Sequence, residues 1–222
     1  MIYRLTDRLA FPDPRFSDEP DVIAVGGDLG VERLLLAYRH GLFPWILRGN
    51  LIEWWSPDPR FVLFPDKLKI SKSLAKIIKS NRFTVTFDRD FAAVIENCRT
   101  IPRPNQPGTW IRKTVVNAFC DLHAAGHAHS VEVWQDHELV GGLYGVSTGT
   151  CFCGESMFAK VSNASKVGFV TLIRRLQQTG CSMIDCQMPT EHLARFGAET
   201  IPRQSFLDLL ESARDGSMAR LC

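Results

Sequence analysis

Apolar positions along this chain recur with two periods, and the points where one period gives way to the other divide it into elements. In VERLLLAYRHG, Val31, Leu34, Leu35 and Tyr38 fall at helical spacing and Gly41 supplies a stop. GLFPW and WWSPDPR follow, dense in Trp and Pro, a composition that predicts rigid walls rather than regular structure. KISKSLAKIIK then reads as a basic helix. A soft boundary therefore falls around Leu63 to Asp66, between a small N-terminal α/β domain, residues 1–64, and a larger domain, residues 65–222.

Beyond that boundary strand and helix signals alternate. RFTVTF (82–87) reads as a strand, and helices are predicted over about 88–98 and 112–125, with the Pro-rich loop IPRPNQPGTW between them. HSVEVWQ, ELVGGLYGV and TCFCGESMF are strand-like runs joined by turns at Asp136-His137 and at Ser147 to Gly149. A helix over about 162–178 presents Phe169, Leu172, Ile173 and Leu176 on one face. The strand SMIDCQ, the short helix EHLARFG, the strand AETIP and the helix SFLDLLESAR complete the chain. Consecutive antiparallel strands followed by helix, strand, helix, strand predict an α+β fold, a mixed sheet flanked by helices in acetyltransferase-like (GNAT-like) order.

One of these strands carries a charge that its pattern does not account for. Alternation puts Cys151, Cys153, Glu155 and Met157 on one face, so Glu155 sits among apolar neighbours. The same rule applied to CSMIDCQ groups Cys181, Met183, Asp185 and Gln187, and pairing of the two strands would bring Glu155, Asp185 and Gln187 to one pocket. A buried charged group without partners costs roughly 1–3 kcal/mol or more. A cationic substrate would supply the missing partner; the plainer alternative is that each acid pairs with an internal Arg or caps a helix.

Composition narrows the classes. The chain has 222 residues, 45% hydrophobic and 23% charged, enough for a sizeable core. Neither an apolar leader nor a membrane-length apolar run is present, so a cytoplasmic protein is expected. The 7 cysteines form no CxxC pair and read as reduced, buried residues. His123, His127 and His129 are separated by Gly126 and lack further ligands, so no metal is expected. Gly26-Gly27-Asp28 reads as a turn at a helix start rather than a phosphate loop, and no GxSxG elbow suggests covalent catalysis. A net charge of +2 is too mild to announce a nucleic-acid partner, but Lys69, Lys72, Lys76 and Lys79 form a helical stripe, with Lys67 and Arg82 at its ends, suited to a phosphate backbone or simply to solvent.

Taken in order, GLFPW, WWSPDPR, GTWI, GHAHSVEVW, GGLYGV, FCGESMF, NASK and IDCQ make the chain resemble the leucyl/phenylalanyl-tRNA protein transferase family, from about Gly26 to about Arg203. The resemblance implies transfer of Leu or Phe, and less well Met, from aminoacyl-tRNA to proteins with N-terminal Arg or Lys, marking them for N-end rule degradation. It implies no cofactor, and we expect a monomer. It also assigns Glu155, Asp185 and Gln187 to the active site. The donor's side chain is expected against Leu143, Phe152, Met157 and Phe169, with Cys153 a further candidate. Trp54, Trp55 and Trp110 are expected to stack the terminal adenosine, and Lys69, Lys72, Lys76, Lys79 and Arg82 to contact tRNA phosphates.

The sequence departs from familiar members at Phe119, Leu143 and Thr190, where Tyr, Met and Asn are expected, and it ends early, at Cys222. Three rival readings differ by feature. An acetyl-CoA transferase needs a glycine-rich turn that AKVSNASK lacks. A peptidoglycan-type aminoacyl transferase would act on a lipid-linked amine, and an RNA-binding module without catalysis would gain nothing from buried acids.

Overall fold

A computed structural model describes residues 2–45, 51–102, 109–214 and 216. The centre of the Pro-rich loop, 103–108, and the C-terminal residues 217–222 lie outside the described residues.

The Trp- and Pro-rich stretches expected to be irregular contribute strands. β1 (Tyr3–Leu5), β2 (Val22–Gly26), β3 (Phe43–Trp45) and β4 (Glu53–Trp55) form a sheet in the order β1-β2-β4-β3, with α1 (Val31–Arg39) following β2. Pro44 fits because β3 is an edge strand, where a missing backbone N–H need not break a ladder. The next strand, β5 (Arg60–Leu63), was expected with the N-terminal residues but pairs within the second sheet. Its alternation sends Val62 to one hydrophobic core and Phe61 and Leu63 to the other.

The remaining elements are α2 (Lys72–Lys79), β6 (Thr84–Phe87), α3 (Phe91–Thr100), α4 (Lys113–Ala124), β7 (Ala128–Gln135), β8 (Glu138–Thr148), β9 (Cys151–Ala159), α5 (Ala164–Gln178), β10 (Met183–Gln187), α6 (Glu191–Ala194), β11 (Glu199–Ile201) and α7 (Arg203–Arg214). The second sheet runs β11-β5-β10-β9-β8-β7-β6; β9 and β10 are parallel, as a helical crossover requires, and its other pairs are antiparallel. The expected mixed sheet flanked by helices is thus present.

Two main cores divide the side chains. One joins Ile23, Leu34 and Trp54 of the N-terminal part to Phe119, Tyr144 and Phe206; the other packs α5, through Phe169, Leu172 and Ile173, against Leu143, Phe152 and Ile184.

Local chemistry sets the start of α2. Ser71 caps it, its Oγ accepting from the Leu74 N–H at 3.2 Å. Lys69 precedes this cap, its own N–H donating to Phe196 O at 2.8 Å. The lysine stripe on the helix is therefore Lys72, Lys76 and Lys79, all exposed, and Lys69 belongs to the loop before it.

Candidate active site

Strict alternation fails at the residue that matters most in β9. Tyr144 pairs with Ser156 and Gly145 with Gly154, so Glu155 is an extra residue without a partner on β8, a β-bulge. Before it, Cys151 and Cys153 face the first core and Phe152 the second; after it, Phe158 faces the first and Met157 the second. The expected shared face of Cys153, Glu155 and Met157 is corrected accordingly: the bulge exchanges the faces. Gly145 permits the approach, since a Cβ there would lie 2.5 Å from the Phe152 ring.

The bulge turns Glu155 into a cavity of about 790 Å³. Leu143, Phe152, Met157 and Phe169, expected against the donor side chain, line it, as do Trp110, expected at the terminal adenosine, and Glu155 and Gln187. The N-terminal part contributes Phe43, Pro44 and Trp45, which the sequence reading did not single out for the pocket. Cys153 is buried in the first core instead.

Tyr38, expected as a core position of α1, donates its hydroxyl to Glu155 Oε1 at 2.8 Å, and Gln187 Nε2 donates to the same oxygen at 2.7 Å. Glu155 Oε2 is buried without a hydrogen-bond partner, and no Lys or Arg forms an ion pair with the carboxyl among the described residues. Burial outweighs the two hydrogen bonds and pushes the Glu155 carboxyl up to about 8. Burial likewise raises the Cys186 thiol in the cavity wall, leaving it protonated and a poor nucleophile.

Asp185 does not line the cavity. It is 2% exposed and forms a fork with Arg60, which is 1% exposed: Arg60 Nε donates to Oδ1 at 2.8 Å and Nη2 to Oδ2 at 2.6 Å. The Arg60 guanidinium lies over the Phe43 and Phe206 rings, 4.9 and 4.4 Å from their centroids. The expectation that all three polar residues share one pocket is therefore corrected, because the acid meets its cation inside the protein. Asp185 Oδ1 also accepts from the backbone N–H of Gln187 at 2.9 Å, and Gln187 is left-handed, with φ 64°. This turn ends the alternation of β10 and brings the Gln187 amide to Glu155. Arg60 stands in WWSPDPR, but alternation in an isolated tetrapeptide gives no sign of its partner.

Two of the expected adenosine-stacking residues lie elsewhere. Trp54 is fully buried, donating Nε1 to Gly26 O at 2.9 Å and meeting the Phe11 ring at 4.8 Å. Trp55 is partly exposed, with Nε1 bonded to Glu53 and its ring 5.1 Å from that of Trp45, and it does not line the cavity. Replacing Trp54 by Ala is accordingly expected to lower stability by about 3–5 kcal/mol, as a core truncation does. Urea unfolding checks this, and a shift below about 1 kcal/mol would contradict the core assignment.

The departures at single positions also have places. Phe119 packs edge-on to Tyr144 at 5.5 Å in the core, and Thr190 caps α6 through the Leu193 N–H. His129 bonds Asp88 at 2.7 Å, and among the described residues no group of three or more His, Cys, Asp or Glu could hold a metal. No helix among them is long and apolar enough to cross a membrane.

Comparison with known proteins adds a chemical context. The model of the leucyl/phenylalanyl-tRNA protein transferase family matches residues 62–211, and that of the family's N-terminal domain matches 27–58. A leucyl/phenylalanyl-tRNA--protein transferase of Ectopseudomonas mendocina is 58% identical over 194 residues, 87% of this chain and 85% of that one. Its counterpart from Pseudomonas putida is 55% identical over 206 residues, 92% and 91% of the respective chains. Among solved structures, L-PGS from Bacillus licheniformis aligns at 12% identity and a TM-score of 0.43, covering 77% of this chain and 56% of that one. A GCN5-related N-acetyltransferase from Kribbella flavida aligns at 11% identity and a TM-score of 0.35, covering 74% and 58%. At such scores the architecture rests on the sheet order described above.

Proposed function

Because the chain belongs to the leucyl/phenylalanyl-tRNA protein transferase family, we propose that it moves Leu or Phe, and Met less readily, from aminoacyl-tRNA to the α-amino group of proteins bearing N-terminal Arg or Lys. In this reading it acts as a cytoplasmic monomer and marks those proteins for N-end rule degradation. The observation that carries the reading is a buried carboxyl that forms no ion pair among the described residues, in the wall of an otherwise largely apolar cavity.

The donor side chain packs against Leu143, Phe152, Met157 and Phe169, and selection follows from shape, since such a wall accepts γ-branched or unbranched chains better than β-branched ones. Trp110 takes the terminal adenosine. Lys72, Lys76 and Lys79 meet phosphates of the acceptor stem, flanked by Lys69 and Arg82.

The acceptor amine, with an ordinary pKa near 7.7–8.0, is partly neutral at neutral pH and attacks the aminoacyl ester. An N–C bond forms, the C–O bond to the terminal ribose breaks, and the amine proton ends on the ribose oxygen or on water. Gln187 Nε2 is engaged by Glu155, so the amide's carbonyl oxygen is left to accept from the attacking N–H. Asp185, clamped by Arg60, acts through the Gln187 backbone and not on the substrate. Glu155 meets the cationic side chain of the acceptor.

Transfer of labelled Leu from charged tRNA to a peptide with N-terminal Arg tests the reading, with N-terminal Ala as the control acceptor; equal labelling of both would refute it. A pH profile tests Glu155. Its raised carboxyl is mostly protonated at pH 7 and ionises as pH passes about 8, so acceptor binding strengthens and KM for the Arg peptide falls through that interval. Glu155→Gln is expected to flatten this change. Parallel profiles for the two proteins would remove Glu155 from acceptor recognition, because titration of the peptide's own amine is common to both.

A further inference from the structure

A second cavity, of about 480 Å³, lies near the edge strand β6 of the large sheet, at the turn between α2 and β6 and the turn between β7 and β8. Arg82, Arg89, Trp134 and His137 are among the residues lining it, with Asn81 and a single acid, Asp136. Neither guanidinium forms an ion pair with a carboxylate among the described residues. Each lies instead over an aromatic ring: Arg82 is 5.1 Å from the centroid of Phe83, and Arg89 is 5.1 Å from that of Trp134.

The walls are fixed from inside. Glu132, fully buried between β6 and β8, accepts from Thr86 Oγ1 at 2.6 Å, from Ser130 Oγ at 2.5 Å and from the Arg89 N–H at 3.3 Å. Thr86 Oγ1 in turn accepts from Trp134 Nε1 at 2.8 Å. One buried carboxylate thus holds both the indole and the backbone that carries Arg89. Two cations without carboxylate partners, converging on a preformed hollow, suit an anion whose oxygens accept several N–H bonds. The neighbouring surface says which anion: α2 ends at Lys79, and only its cap residue Ser80 separates it from Asn81 and Arg82, so Lys72, Lys76 and Lys79 lead over roughly 10 Å of helix to the cavity mouth.

We propose that this cavity binds a backbone phosphate of RNA, with Arg82 and Arg89 as its ligands and Trp134 as the platform that holds Arg89. The proposal rests on the transferase reading and extends the tRNA contact beyond the lysine helix, to a region that the acyl-transfer chemistry does not use.

The test compares wild type with Arg82→Ala/Arg89→Ala and with the charge-matched control Arg4→Ala/Arg8→Ala, using binding of uncharged tRNA over a salt series. The first pair is expected to weaken binding several-fold and to reduce the salt slope by about one. It should raise KM for Leu-tRNA with little change in kcat, at an unaltered melting temperature. The control pair should change none of these. Wild-type affinity and slope in Arg82→Ala/Arg89→Ala would overturn the proposal, and so would an equal loss in the control, which would assign the effect to net charge. Failure of the wild-type protein to transfer Leu from tRNA at all would overturn the functional reading itself, and this proposal with it.

Discussion

Arg60→Leu is expected to destabilise the protein by about 3–5 kcal/mol, because it strands the Asp185 carboxylate in the interior without its cation. Both groups are nearly inaccessible, and two short hydrogen bonds join them. Removing both charges has a different consequence. In Arg60→Met/Asp185→Leu no lone charge is left, and exchanges of buried ion pairs for apolar residues of similar volume are often neutral or stabilising by about 1–4 kcal/mol. The double variant should therefore recover most of the stability in urea unfolding. It should not recover transfer, since the Gln187 N–H loses the acceptor that fixes its left-handed turn. A double variant with wild-type kcat would show the pair to be structural only.

The second large effect is kinetic. Gln187→Gly is expected to lower kcat by about 10²–10³, the range seen when one preorganised polar group at a reacting centre is removed. Glycine is the informative choice because φ is 64° at this position. Glycine takes such a conformation without strain, whereas alanine would add about 1 kcal/mol or more of backbone penalty to the lost amide. The melting temperature should hold, as should tRNA affinity, because the amide reaches Glu155 and not the basic helix. A kcat within two-fold of wild type would remove Gln187 from the chemistry and leave it as a support for Glu155.

Much of the scaffold was legible because it depends on local periodicity. The stripe Phe169, Leu172, Ile173 and Leu176 foretold a buried helix, and the runs that became β7 to β10 were read within a few residues. The apolar wall of the pocket was legible too, although alternation alone could not say which side of the sheet it takes. The polar centre was harder to read. A bulge at Glu155 and a left-handed residue at Gln187 each interrupt the two-residue period; Gly154 in FCGESMF is the one local hint of the bulge, and IDCQ carries none for the turn. The partner of Asp185 lies 125 residues away, so its neutralisation belongs to topology. Trp54 illustrates the converse: a motif made it a candidate for stacking, but a tryptophan bonded through Nε1 to an internal carbonyl is a core residue. GLFPW and WWSPDPR read as irregular because Pro lacks a ladder N–H, yet the edge strand β3 tolerates Pro44, and both prolines of WWSPDPR lie between β4 and β5, outside either strand.

The core that runs from Ile23 and Trp54 through Tyr144 to Phe206 joins side chains of both sheets. Expressed alone, the segment from Arg60 onward would expose the greasy underside of its own large sheet, and Glu155 would lose the phenol that steadies it. Heating should accordingly melt both sheets in one transition, and grafting this catalytic half onto another scaffold would require transplanting the first four strands with it.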